Sequence, residues 1–173
     1  IEKFTIFKKK SYEFFEIIYI GRLVGDKGIH DVFEAFEDAC KLIPNIKLNI
    51  VGDIYPNNPS SLLPKEIKWY KAKFGSKVIF TGYTEDVIYW LNRSHILLLP
   101  SKREGFPVCV MEASLCGIPS IVYNVPGCKD AVLDGINGRV CNFGDINALS
   151  KAIVDFAKVG KLKYFSKKAS KFS

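Results

Sequence analysis

The chain has no apolar run near the roughly 20 residues that a membrane-spanning helix needs, and no signal-peptide pattern is visible in it. It holds only two histidines, His30 and His95, and neither is close in sequence to a pair of cysteines. That excludes the usual zinc-ligand spacings. The five cysteines, Cys40, Cys109, Cys116, Cys128 and Cys141, are odd in number and never spaced Cys-x-x-Cys. They read as reduced thiols of a cytoplasmic protein rather than as a disulfide framework. The glycines Gly21, Gly25 and Gly28 miss the G-x-G-x-x-G spacing, and no suitable acidic residue closes the second strand in the expected context. A dinucleotide-binding dehydrogenase is therefore disfavoured.

What is present fits one globular domain, 1–173, with a sizeable core, since 48% of the residues are hydrophobic and 25% charged. The net charge is +7, part of it in Lys8, Lys9 and Lys10 and in a tail carrying Lys158, Lys161, Lys163, Lys167, Lys168 and Lys171. Solvated surface is the ordinary reading of such runs. The sharper one is attraction to an anionic membrane face, a peripheral contact. No nucleic-acid recognition motif accompanies the charge, so nucleic acid is not an expected partner.

Strand-like and helix-like segments alternate. Strands are expected at 16–20, 46–51, 78–80, 95–99, 119–123 and 138–141. Helices are expected at 29–42, 64–74, 85–92 and 107–116, with a helical turn at 129–133 and a last helix over 146–158 capped by Asp145. The stretch 54–61, rich in Pro, Asn and Ser, reads as a loop. This alternation predicts an α/β, Rossmann-like, doubly wound parallel sheet covered on both faces. Ligands in such folds sit beyond the carboxyl ends of the strands.

The most informative stretch is Ser101-Lys-Arg-Glu-Gly-Phe-Pro-Val-Cys-Val-Met-Glu112. A buried strand leads into it, Gly105-Phe106-Pro107 turns the chain, and Pro107 suits the first position of a helix. The helix end offers N–H groups without intrahelical partners, a ready anion site. Two carboxylates flank it, Glu104 and Glu112, with seven residues between them. Phosphate on the helix end and sugar hydroxyls on the carboxylates together suit a nucleotide-sugar.

These residues resemble the Glu-x7-Glu signature of retaining glycosyltransferases of the GT-B fold, family 4 type. Gly21-Arg22-Leu23 with Lys27-Gly28 is similar to that family's first phosphate-binding loop. Val51-Gly52-Asp53, Val78-Ile79-Phe80-Thr81-Gly82, Gly117-Ile118-Pro119 and Asp134-Gly135-Ile136-Asn137-Gly138 follow in the family's order. The ends, Ile1-Glu2-Lys3-Phe4 and Lys171-Phe172-Ser173, resemble the edges of the family's C-terminal half. The resemblance thus implies a donor-binding domain whose N-terminal, acceptor-binding partner domain is absent.

It also implies roles. Arg22 and Lys27 would hold the donor diphosphate and stabilise it as it leaves. Gly21, Gly105 and Phe106 would supply close backbone approach, and Val108 and Cys109 would bring helix N–H groups to the phosphates. Glu104 would reach hydroxyls of the transferred sugar, and Glu112 the ribose. Phe80, Thr81 and Gly82 would meet the base through backbone groups. The partners implied are a nucleoside diphosphate sugar and a saccharide or lipid-linked acceptor, with the enzyme in the cytoplasm or at the inner membrane face. No cofactor is implied, and the chain lacks the Asp-x-Asp metal motif of the other major glycosyltransferase fold.

Several positions depart from the family pattern. Ile54 stands where Gly usually follows Val51-Gly52-Asp53, His95 where Asp is common, and Asp130 where Glu is common. Asp130 reads as a cap of its short helix, both histidines as structural, and Tyr83 as a packing residue at a strand end, with stacking on the base as its alternative. A nucleotide-sugar epimerase on the same fold and a non-catalytic nucleotide-binding module remain alternatives.

Overall fold

The computed structural model describes residues 13–158. The lysines at 8–10 and beyond Lys158, and both chain ends, lie outside them; Lys158 itself pairs with Asp155 at 2.8 Å. Six parallel strands form one sheet: β1 (Phe15–Ile20), β2 (Ile46–Val51), β3 (Val78–Gly82), β4 (Ile96–Leu99), β5 (Ser120–Tyr123) and β6 (Gly138–Cys141). Their order across the sheet is β3-β2-β1-β4-β5-β6. The helices are α1 (Ile29–Cys40), α2 (Pro64–Phe74), α3 (Val87–Arg93), α4 (Val108–Leu115), α5 (Cys128–Ala131) and α6 (Ile146–Ala157). The predicted doubly wound α/β sheet is present.

The central strand β4, Ile96-Leu-Leu-Leu99, reads as a continuous aliphatic run because both its faces are covered. Ile17, Ile18 and Tyr19 of β1 and Ile96, Leu97 and Leu98 of β4 are fully buried. Right-handed crossovers place α1 and α2 on one face and α3 and α4 on the other, and α6 returns to pack against α1. An aromatic cluster joins α1 to α2: Phe33 stacks on Tyr70 at 3.6 Å between centroids, and Phe36 meets Phe74 edge-on at 5.3 Å. Buried aromatics of this kind anchor a helix pair beyond their area alone.

Several boundaries differ from the sequence expectation. Pro107 is not the first helical residue but the N-cap of α4, with extended ψ of 106°. Its carbonyl already accepts from the Val110 N–H at 3.0 Å, so the helix proper opens at Val108. His95 precedes β4 rather than opening it, and its N–H donates to the Glu16 carbonyl at 2.7 Å. β3 runs on to Gly82, two residues further than expected. Asp86 caps α3 by accepting from the Tyr89 N–H, and Asp145 caps α6 by accepting from the Ala148 N–H.

The strand order reverses between β1 and β4. The loops after these two strands therefore leave the same end of the sheet side by side and open a crevice at the switch point. They are the two loops that carry the Gly21–Lys27 and Ser101–Glu112 motifs.

Candidate donor site

The β1 loop is built from the backbone outward. The buried Tyr19 hydroxyl donates to the Arg22 carbonyl at 2.6 Å, and the Leu23 N–H donates to the Asp53 carbonyl at 3.0 Å. Gly25–Lys27 forms a 3-10 turn, and Gly28 then takes φ +71° to start α1. A Cβ on Gly28 would lie 2.0 Å from the Pro100 carbonyl oxygen, so only glycine lets this loop meet the end of β4. The Lys102 N–H donates to the Asp26 carbonyl at 2.9 Å and ties the two loops together.

That seam brings Lys27 to Glu104. The ammonium donates to Glu104 Oε1 at 2.6 Å, and the buried Ser101 hydroxyl donates to the same oxygen at 2.8 Å. Lysine has three N–H donors, so two remain for another ligand. Behind Glu104, the backbone of residues 104 and 105 rests on Gly127, where a Cβ would come within 2.5 Å of both carbonyl oxygens.

Glu112 lies on α4, half-buried. Burial pushes its carboxyl above the usual carboxylate range. No hydrogen bond or ion pair to its side chain is found among the described residues. Cys109, one turn earlier, has its thiol pushed up to about 12 by burial, with Glu104 and Glu112 adding to the effect. Burial and then Glu104 likewise push Cys128 up to about 12. Both thiols stay protonated and unreactive at neutral pH; all five cysteines are free.

The expected site residues divide as follows. Arg22, Lys27, Glu104, Gly105, Val108, Cys109 and Glu112 lie on the two loops and on α4 beside the crevice. Burial pushes the Tyr19 phenol well above its usual range, so it stays a neutral donor to the Arg22 carbonyl. Phe106 and Val108 are exposed at the start of α4. Gly21 lies at the end of β1, where a Cβ on Gly52 would stand 1.9 Å from its carbonyl oxygen. Phe80 is half-buried, its ring 5.9 Å from that of Phe33 and with Lys71 Nζ 5.5 Å from its centroid. Gly82 takes φ +70° at the end of β3.

One expectation is overturned. Tyr83 does not pack: it is 76% exposed, because Gly82 swings the chain out of the sheet before it. Asp130 is the cap expected, accepting from the Gly127 N–H at 3.0 Å. His95 is structural as expected, its Nδ1 accepting from the Glu16 N–H at 2.9 Å. The sequence reading assigned no role to Tyr19, Ser101, Tyr55 or Gly127. Tyr19 carried a signal, as an aromatic that follows Ile17-Ile18 in a strand and stands two residues before a glycine.

The fold is an α/β domain with a doubly wound parallel sheet, and its two paired loops meet at the switch point. Among the described residues no helix is long and apolar enough to cross a membrane. The family of glycosyl transferases group 1 matches residues 2–172, and the chain belongs to it. A capsular polysaccharide biosynthesis glycosyltransferase, CapM, of Staphylococcus aureus is 30% identical over 139 residues, 80% of this chain and 36% of the relative. A poly(glycerol-phosphate) alpha-glucosyltransferase of Bacillus subtilis is 30% identical over 147 residues, 84% of this chain and 21% of the relative. The chain thus spans about a third or less of the length of these relatives.

Among solved structures, Anabaena HepE in complex with UDP and glucose superposes with a TM-score of 0.81 at 22% identity, covering 92% of this chain and 43% of that one. The C-terminal domain of a group 1 glycosyl transferase, LpcC, of Francisella tularensis superposes at 0.78 with 17% identity, covering 91% of this chain and 83% of that one. These likenesses show the fold, a Rossmann-like domain of the kind found in GT-B glycosyltransferases.

Proposed function

We propose that the chain is the donor-binding, C-terminal domain of a retaining glycosyltransferase that takes a nucleoside diphosphate sugar. The observation that carries this is Glu112: a half-buried carboxylate without a protein donor among the described residues, beside a loop that fastens Lys27 to Glu104. Burying a carboxylate is unfavourable unless it is hydrogen-bonded, and a ribose diol brings two hydroxyl donors.

Lys27 keeps two N–H donors after its bond to Glu104, and Arg22 offers a planar fork. Fixed cations beside a departing diphosphate stabilise the charge that develops as the glycosidic bond breaks. Glu104, held by Ser101 and Lys27, presents its remaining oxygen to hydroxyls of the transferred sugar. The backbone at Phe80–Gly82 and the exposed ring of Tyr83 flank the base. The sugar passes to an acceptor hydroxyl with retained configuration, the acceptor being a saccharide or a lipid-linked one held by a partner domain. CapM is named for capsular polysaccharide biosynthesis, which supports a role in polysaccharide or glycolipid synthesis at the cytoplasmic membrane face. Phosphate binding rests on Arg22 and Lys27 without a metal, and the domain by itself binds nucleotide without turnover.

Calorimetric titration of the chain with UDP, GDP and ADP, with and without magnesium, tests this. Saturable, magnesium-independent binding of one of them is expected. Joint replacement of Arg22 and Lys27 by Ala should erase the preference for that diphosphate over its nucleoside. Binding of none of the three would overturn the reading, and strict magnesium dependence would overturn its metal-free part.

A further inference from the structure

The loop 54–61 departs from the family pattern at Ile54, and the structure shows what this departure builds. The loop is fastened along the first phosphate loop. The Gly25 N–H donates to the Ser60 carbonyl at 2.8 Å, the Leu62 N–H donates to the Leu23 carbonyl at 2.8 Å, and Val24 and Ser61 form an antiparallel bridge. Asn57 turns the loop with φ +66°, a conformation that asparagine tolerates. The Tyr55 N–H donates to the Ser61 hydroxyl at 2.9 Å and fixes the base of its side chain. The Tyr55 ring then faces Arg22, whose guanidinium carbon is 4.6 Å from the ring centroid.

Arg22 is therefore bracketed. Tyr19 holds its carbonyl from the core side, and Tyr55 holds its head from the solvent side. No carboxylate forms an ion pair with it among the described residues. The difference matters chemically. A carboxylate partner would occupy the guanidinium fork and offset its charge. An aromatic face attracts the cation through its quadrupole and leaves all five N–H donors free.

We propose that Tyr55 is a positioning residue for Arg22: its ring holds the guanidinium plane in place while its donors stay available to the diphosphate. This rests on the donor-site reading above. An exposed arginine otherwise samples many rotamers, and ordering it on binding opposes affinity. A ring that pre-orders it removes part of that cost from the binding step.

The test is titration of the 173-residue chain with UDP and uridine, or with whichever of the three diphosphates binds and its nucleoside. Wild type is compared with Tyr55→Phe, Tyr55→Ala, Tyr55→Leu, Arg22→Ala and the double variant Arg22→Ala/Tyr55→Ala. Phe keeps the aromatic face and should match wild type. Ala should weaken diphosphate binding about two- to fivefold, the range of an exposed cation–π contact, and leave nucleoside binding unchanged. Leu fills the loop without an aromatic face and should lose as much as Ala, which covers the case in which Ala disturbs folding.

In the Arg22→Ala background, removing Tyr55 should cost nothing more. An equal loss in both backgrounds would show that the ring acts on the ligand or on the loop, and would overturn the proposal. So would Tyr55→Ala and Tyr55→Leu that bind as wild type does while wild type still prefers the diphosphate. A wild-type chain without that preference overturns the donor-site reading itself, and this inference with it.

Discussion

Lys27 Nζ lies 2.6 Å from Glu104 Oε1, although 77 residues separate the two. The pair is largely shielded, with side-chain exposures of 23% and 10%. Removing the cation leaves a largely shielded carboxylate with the Ser101 hydroxyl as its donor among the described residues. Lys27→Met should lower stability by about 1–3 kcal/mol, allowing for the partial solvent screening of the pair. In a double-mutant cycle with Glu104→Gln the two losses should be clearly less than additive. Denaturant titration of the four proteins measures this, and strict additivity would deny that the pair contributes as a unit.

Glu112 predicts a conflict between stability and binding. Its pKa is raised by burial in the folded chain above the ordinary 4.5. The folded state thus holds the proton more tightly than the unfolded one, and stability falls as pH rises through the window above 4.5. Glu112→Gln removes that loss, so it should melt at a higher temperature than wild type at pH 7 and at the same temperature below pH 4. Glu112→Ala should meanwhile weaken nucleotide binding by about tenfold or more, the cost of a lost charge-assisted hydrogen bond. Melting curves across pH, together with titration of the Ala variant, check both halves.

The layers of the fold were legible because buried parallel strands and their crossover helices leave strong local patterns. The run Ile96-Leu-Leu-Leu99 can hardly be anything but a central strand once a glycine-rich turn follows. Glu104, Glu112, Arg22 and Lys27 were legible as candidates from their motifs. Their arrangement was not: which loops adjoin depends on the strand order, and β1 borders β4 only because the sheet reverses there. The Lys27–Glu104 pair and the Gly127 seat beneath it are products of that reversal. Tyr55 was hidden for a different reason, since a Pro/Asn-rich loop has no period from which a side chain's direction can be read. Tyr83 was misread because one positive φ at Gly82 decides whether the next ring enters or leaves the core.

Tyr123 offers a test of the scaffold away from the nucleotide. Its hydroxyl, buried at the end of β5, donates to Asp31 Oδ2 of α1 at 2.8 Å. Tyr123→Phe should cost about 1–2 kcal/mol, the worth of a hydrogen bond to a charged group in a partly buried place, and leave nucleotide affinity unchanged. Burial, then the bond to Asp31, raises the phenol pKa above its ordinary 10.0. Stability therefore falls as pH climbs above 10, and wild type should fall more steeply there than the Phe variant. Denaturation at pH 8 and at pH 10.5 separates the two contributions.

Gly127 and Gly135 form a matched pair for testing whether the seat beneath Glu104 matters. Both have positive φ, +79° and +75°. A Cβ on Gly135 would meet nothing within 4 Å, whereas one on Gly127 would lie 2.4 Å from the Gly105 carbonyl oxygen and 2.5 Å from that of Glu104. Gly135→Ala should therefore show only the conformational cost of a left-handed alanine, about 1–2 kcal/mol, with nucleotide binding intact. Gly127→Ala carries the cost of a positive φ as well, at a ψ of −51° that lies outside the left-handed helical region, and must also push residues 104 and 105 away from α5. That shift moves the Glu104 carboxylate off Lys27 and Ser101, so the variant should lose more stability than Gly135→Ala and bind nucleotide at least tenfold more weakly. Parallel melts and titrations of the two variants give the comparison. Equal behaviour would mean that the loop absorbs the added carbon, and that its position does not depend on Gly127.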